Sequence, residues 1–166
     1  MKEFIKNKLR EGLFDAYNDI SDNDYKNAYI KKINTNFNNL LLKVSNNPNF
    51  AFILGKNMKF EDYGESNRCE TNTFNYIKEK LINGETNYLP VGGFFFTPQS
   101  LTPVEHWWVF NSETNQHIEV SPMDKEKPWA YGGIINKDIN ENILKAENVF
   151  DVDFFKGGNV YHWYFK

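Results

Sequence analysis

A single cysteine among 166 residues excludes an internal disulfide and agrees with a chain kept in a reducing compartment. No apolar run reaches the roughly 20 residues that a membrane-spanning helix needs. Nor does Met1-Lys2-Glu3-Phe4-Ile5-Lys6 contain the apolar core of a signal peptide, so the expectation is a cytoplasmic protein without a membrane partner. Charge of one sign is not in excess: a formal net charge of -3, with acids and bases interspersed, leaves no basic footprint for nucleic acid. The three histidines form no His-Glu-x-x-His pair and the lone cysteine no Cys-x-x-Cys, so neither a metal nor another cofactor is expected.

Two-fifths of the residues are hydrophobic, enough for one domain, residues 1–166, that buries roughly 70% of its unfolded surface. Phe and Tyr dominate an aromatic fraction of 17%, which suits a compact domain rich in strands. Abundant Asn, with many Lys and Ile, hints at an AT-rich genome such as a phage's. Host cytoplasm or virion would then be the place of action.

Along the chain, Phe4, Ile5, Leu9, Leu13, Phe14 and Tyr17 predict an amphipathic helix over residues 2–20. After the break and cap at Ser21-Asp22-Asn23-Asp24, Tyr25, Tyr29, Ile30, Ile33, Phe37, Leu40, Leu41 and Val44 predict a second, ending near Pro48. Residues 1–47 thus form a helical N-terminal layer, a cover for the core of 50–166 or a docking surface for a partner protein. Phe50–Leu54 reads as a buried strand closed by Gly55. A polar, irregular stretch over residues 59–68 leads into Cys69, beyond which Phe74, Ile77 and Leu81 mark a helix that stops at Asn83-Gly84. Cys69 therefore falls at a helix N-terminus, where unpaired N–H groups and the helix dipole favour a thiolate.

Tyr88 to Thr97 reads as a strand interrupted by Gly92-Gly93. Val104–Phe110 and His117–Ser121, separated by Asn111-Ser112-Glu113-Thr114-Asn115-Gln116, predict a hairpin. Period-two alternation puts His106, Trp108 and Phe110 on one face, and pairing of Phe110 near His117 or Asn115 brings His117, Glu119 and Ser121 to the same face. His106 and Glu119 are then directly opposite or one diagonal apart, within reach of a hydrogen bond. Residues 128–135 predict a strand or aromatic turn, 138–146 a short helix, and 149–150 with 160–165 closing strands. Helices first, then a cysteine at a helix start, then an antiparallel sheet, is an α+β plan.

The pieces Asn67-Arg68-Cys69-Glu70-Thr71-Asn72, Glu105-His106-Trp107-Trp108-Val109 and Ile118-Glu119-Val120-Ser121-Pro122, with Tyr131-Gly132 beyond, resemble the papain-like and transglutaminase-like cysteine enzymes over residues 60–135. The resemblance implies that family's α+β fold, with Cys69 as nucleophile, His106 as general base and Glu119 as the orienting carboxylate. It departs at Asn67, where many transglutaminase-like sequences carry Gly, at Glu70 in place of Trp, and at Glu119 in place of Asp. Chemically the three roles cohere, since the imidazole takes the thiol proton and the carboxylate holds the ring. The backbone N–H of Cys69 is the first oxyanion donor, and Asn67, Asn72 and the Tyr63 hydroxyl are candidates for the second. Trp107 and Trp108 are large enough to wall a cleft beside the histidine, while His117 and His162 read as structural. The expected activity is acyl transfer on an amide or thioester bond of a protein or peptide-like substrate, by a peptidase, amidase, deamidase or transglutaminase-like enzyme. The alternative is an inactive structural or binding protein, such as a phage component, that retains the fold.

Overall fold

A computed structural model describes residues 47–96, 104–123, 128 and 130–152. The two N-terminal helices and the last strand expected from the sequence lie outside these residues. Within them the protein is α+β: one curled mixed sheet and two helices. The strands are β1 (Phe50–Leu54), β2 (Lys59–Phe60), β3 (Tyr88–Phe96), β4 (Val104–Asn111), β5 (Gln116–Glu119) and β6 (Ala130–Ile135), and the helices are α1 (Cys69–Ile82) and α2 (Asn140–Lys145). The strands run β1-β6-β3-β4-β5-β2 across the sheet, antiparallel except for the short parallel pair β2–β5.

Helix α1 begins at Cys69, with Arg68 at the cap making no side-chain capping bond, and carries Glu70 in its first turn and Lys80 in its last, both matched to the helix dipole. Its C-terminus closes with Glu85 N–H donating to the Lys80 carbonyl (2.9 Å), while Gly84 takes φ +81°, a left-handed conformation that costs glycine little. Phe74 and Ile77, three residues apart, are buried with Thr73 and Tyr76 on the helix's inner face. Each large apolar side chain so buried contributes roughly 1.5–3 kcal/mol. They pack on Phe94, Trp107, Val109, Ile118, Val120 and Ile134, the alternate residues of β3, β4, β5 and β6 and of the turn after β5. Residues of the opposite parity, among them Ile53, Val91, Trp108 and Tyr131, close a second cluster with Met58 on the other face. The strand alternation read from the sequence therefore divides two cores.

The hairpin forms with Phe110 opposite His117 and a four-residue turn, Ser112–Asn115, in which Asn115 is left-handed at φ +57°. Asn111 Oδ1 accepts from the backbone of Glu113 (3.1 Å) and Thr114 (3.4 Å), the side-chain competition that makes Asn a turn residue. Three expectations need correction. Lys59 and Phe60 pair with β5 as a two-residue strand too short to show periodicity. Gly92-Gly93 does not interrupt β3, which pairs continuously with β4 from Tyr88 to Phe95. Val149–Asp151 is a 3-10 turn held by an Asn148–Asp151 capping box and not a closing strand, because that local capping competes with sheet pairing.

Gly93 sits opposite both His106 on β4 and Gly133 on β6, forming with Ala51 of β1 a row nearly free of side chains beside the histidine. A Cβ on Gly93 would meet the Gly132 carbonyl oxygen and Gly133 Cα, and one on Gly133 would lie 2.6 Å from Trp108 Cη2. The obstacle at Gly93 is backbone and cannot swing aside. Gly93→Ala should therefore destabilise the fold by about 3 kcal/mol in urea unfolding. Gly84→Ala, with nothing within 4 Å, should cost only about 1 kcal/mol for its left-handed backbone. Equal losses at the two positions would contradict the close approach of β3 and β6.

Candidate active site

The β4–β5 ladder spans Val109–Asn111, and continuing its register sets Glu119 opposite Trp108, one diagonal step from His106. The two side chains meet there, His106 Nε2–H donating to Glu119 Oε2 at 2.6 Å. Both are enclosed, with His106 5% and Glu119 0% exposed. A buried carboxylate is costly unless fully bonded, and this one has two further donors: Ser121 N–H to Oε1 (3.0 Å) and the Tyr131 hydroxyl to Oε2 (3.1 Å). The imidazole ring is fixed by Phe95, which meets it edge-on with centroids 4.9 Å apart.

Cys69 reaches this pair from the helical side. The segment before it is tied to the end of β5: Glu61 N–H donates to the Glu119 carbonyl (2.9 Å), and Tyr63 and Gly64 N–H donate to the Val120 carbonyl (3.3 Å each). Asn72, in the first turn of α1, clamps the same segment. Its Oδ1 accepts from Glu65 N–H (3.1 Å), and its Nδ2 donates to the Glu65 carbonyl (2.8 Å) and to Ser121 Oγ (2.9 Å). Gly64 is required here because a Cβ would overlap the Asn72 amide. The clamp holds the half-buried Cys69 thiol on the side of His106, close enough to help raise the proton affinity of its ring. With Nε2 engaged by Glu119, Nδ1 is the ring nitrogen left for the thiol.

Burial by itself would lower the proton affinity of His106; the Glu119 charge, together with the Cys69 and Glu119 hydrogen bonds, overcomes it and raises the pKa to about 9. His117 behaves in the opposite way. Burial lowers its pKa to about 4, and its Nδ1 accepts the Trp108 indole N–H at 2.9 Å, which fits a neutral ring in a structural role.

The cysteine opens on a groove of about 470 Å³ lined by residues 67–71 together with Glu105, Trp107 and Phe150. Two carboxylates flank it. Burial and the neighbouring charge of Glu105 both raise the Glu70 pKa. Arg68, the cation of the lining, is paired with Glu65 at 3.1 Å. Phe150 is 93% exposed at the margin.

Cys69, His106 and Glu119 are thus brought together, and Trp107 lines the groove. Trp108 is fully buried on the opposite face and outside that lining. Asn72 has both amide protons committed to the clamp, so it offers no oxyanion donor. The Tyr63 hydroxyl bonds Glu79, ten residues beyond Cys69 and about 15 Å along the helix, so it too points elsewhere. Asn67, left-handed at φ +60°, lines the same groove as Cys69. From the sequence Tyr131 carries no role of its own, and Asn72 stands as an oxyanion candidate and not as a clamp. Ser121 could have been found from its i+2 spacing to Glu119, whereas Tyr131 comes from a strand whose place in the sheet no local pattern reveals.

Among the described residues no group of three His, Cys, Asp or Glu could hold a metal ion, and no helix is long and apolar enough to cross a membrane. Comparison with protein-family models, curated proteins and solved structures finds no match.

Two expectations follow. Unfolded, a histidine titrates near 6.5, and folded His106 near 9, so its contribution to stability is complete below pH 6.5 and lost as pH rises through 9. Urea unfolding should show that alkaline decline, and His106→Gln should flatten it; a decline of the same size in the variant would contradict the ion pair. Because Glu70 and Glu105 flank the thiol, a cationic methanethiosulfonate should modify Cys69 roughly tenfold faster than an anionic one at low salt. Neutralising both carboxylates should erase the preference, and a ratio at or below one in the wild type would refute it.

Proposed function

We propose that the protein is a cysteine-dependent acyl-transfer enzyme, a variant of the papain-like and transglutaminase-like plan, that acts on an amide or thioester bond of a protein or peptide-like substrate. The observation that carries this reading is the imidazole of His106 held between the Cys69 thiol and the fully buried Glu119 carboxylate. His106 takes the thiol proton, and the thiolate attacks the substrate carbonyl carbon, forming the C–S bond as the carbonyl electron pair moves to oxygen. That oxyanion faces the Cys69 backbone N–H, one of the helix N–H groups without an intrahelical acceptor. Collapse breaks the bond to the leaving group, which receives the proton from the imidazolium and leaves an acyl-thioester on Cys69. Water or an amine then attacks the acyl carbon, His106 accepting its proton, and the thiol is regenerated. Glu119 stays ionised throughout, holding Nε2–H and compensating the imidazolium charge.

The half-buried thiol on an open groove, beside a ring fixed by its other nitrogen, supports this reading. The enclosure of His106 and Glu119 favours a second one, in which the pair only braces a binding or phage-structural protein.

Alkylation with iodoacetamide tests both. In the enzyme, Cys69 should react at neutral pH faster than a free thiol, and His106→Ala should slow it by roughly 10²-fold or more, the scale of general acid–base assistance. Ordinary labelling kinetics indifferent to His106→Ala would remove the triad and leave the bracing role.

A further inference from the structure

We infer that Tyr131 is a positioning residue of the candidate triad: from β6 its hydroxyl binds the same Glu119 oxygen that holds His106, and so sets how firmly the ring keeps its proton. This rests on the proposed acyl-transfer reading.

The geometry supports it in three ways. Oε2 of Glu119 accepts both His106 Nε2–H at 2.6 Å and the Tyr131 hydroxyl at 3.1 Å, so two donors share one oxygen's charge. A carboxylate can only accept, so the tyrosine must donate. Burial and the adjacent carboxylate push the Tyr131 pKa upward, which keeps that proton in place across the working range. Finally, Tyr131 is not a near neighbour of Glu119 along the sheet. Strand β6 is separated from β5 by β3 and β4, and the hydroxyl nonetheless reaches the Glu119 carboxylate across both. The ring itself is fully buried among Phe95, His106 and Trp108, with centroids 6.3, 6.1 and 5.3 Å away, which fixes where the hydroxyl points.

Among the described residues, the titratable groups around the imidazole are Cys69 from α1, Glu119 from β5 and Tyr131 from β6, with neutral His117 one step further, behind Trp108. Of these, Tyr131 alone acts on His106 through the carboxylate. Removing its hydroxyl leaves Glu119 two donors and concentrates its charge on Nε2–H. The imidazolium is then held more tightly, and its loss of the proton moves to higher pH.

The test uses the full-length chain as wild type, Tyr131→Phe and Glu119→Gln. His106 is titrated by NMR of its ring, and the rate of Cys69 alkylation is followed from pH 5 to 10. Tyr131→Phe should melt cooperatively and shift the alkaline titration, near 9 in the wild type, upward by roughly half a unit to one unit. Glu119→Gln should shift it downward. A folded Tyr131→Phe variant with an unmoved His106 titration overturns the inference, and a lower melting temperature alone would mark the tyrosine as packing. Should that variant not fold, the wild type decides: a slowly exchanging Tyr131 hydroxyl proton with a cross-peak to His106 Nε2–H is expected, and a freely exchanging one overturns the inference. Failure of the enzyme reading is distinguishable, because slow, His106-independent alkylation would leave the NMR titration fully interpretable.

Discussion

A charged carboxylate with no exposed surface imposes the strictest requirement in this structure. Glu119 lies in the sheet's interior, where an unpaired negative charge costs several kcal/mol. It is tolerated because donors converge from three separate segments: His106 from β4, Ser121 from beyond β5 and Tyr131 from β6. Each donor fixes something else. Ser121 is tied through its hydroxyl to Asn72, Asn72 holds the loop ahead of Cys69, and that loop delivers the thiol to the histidine. One buried charge therefore organises the helix start, the hairpin and a distant strand into one hydrogen-bonded cluster.

The two faces of the sheet divide the labour. On the helical side, α1 and α2 bury the apolar residues that stabilise the domain. On the other, polar groups are embedded in aromatic surroundings, with Trp108 donating to His117 and Tyr131 to Glu119. The side-chain-free row at Gly93 and Gly133 makes this arrangement feasible, since any Cβ there would occupy the space of the neighbouring strand or of the Trp108 indole. Stability is thus exchanged for room. Cys69 packs against the helical core yet raises the proton affinity of a ring that shares the strand face of Trp108.

The chemistry proposed for this cluster needs the imidazole to hold a proton in the presence of a thiolate and still release it. The opposed environments of the two hairpin histidines illustrate how that balance is set. His106, facing a carboxylate, is pushed up to about 9, while His117 is pushed down to about 4 by burial. The same residue type, eleven positions apart, is driven in opposite directions by its surroundings.

Much of this was legible locally. Aromatic and β-branched runs around an Asn-rich turn gave the hairpin, its alternation put His106 and Glu119 on one face, and the polar stretch before an apolar stripe put Cys69 at a helix start. These are short-range properties, fixed by the period of a strand, the period of a helix and the side-chain competition of Asn for backbone bonds. The strand order β1-β6-β3-β4-β5-β2, the pairing of two-residue β2, the reach of Tyr131 across β3 and β4, and the commitment of Asn72 to a clamp were decided only by the tertiary structure. Each joins segments separated by enough chain that their meeting depends on how whole strands assemble, and no spacing between neighbouring residues encodes that.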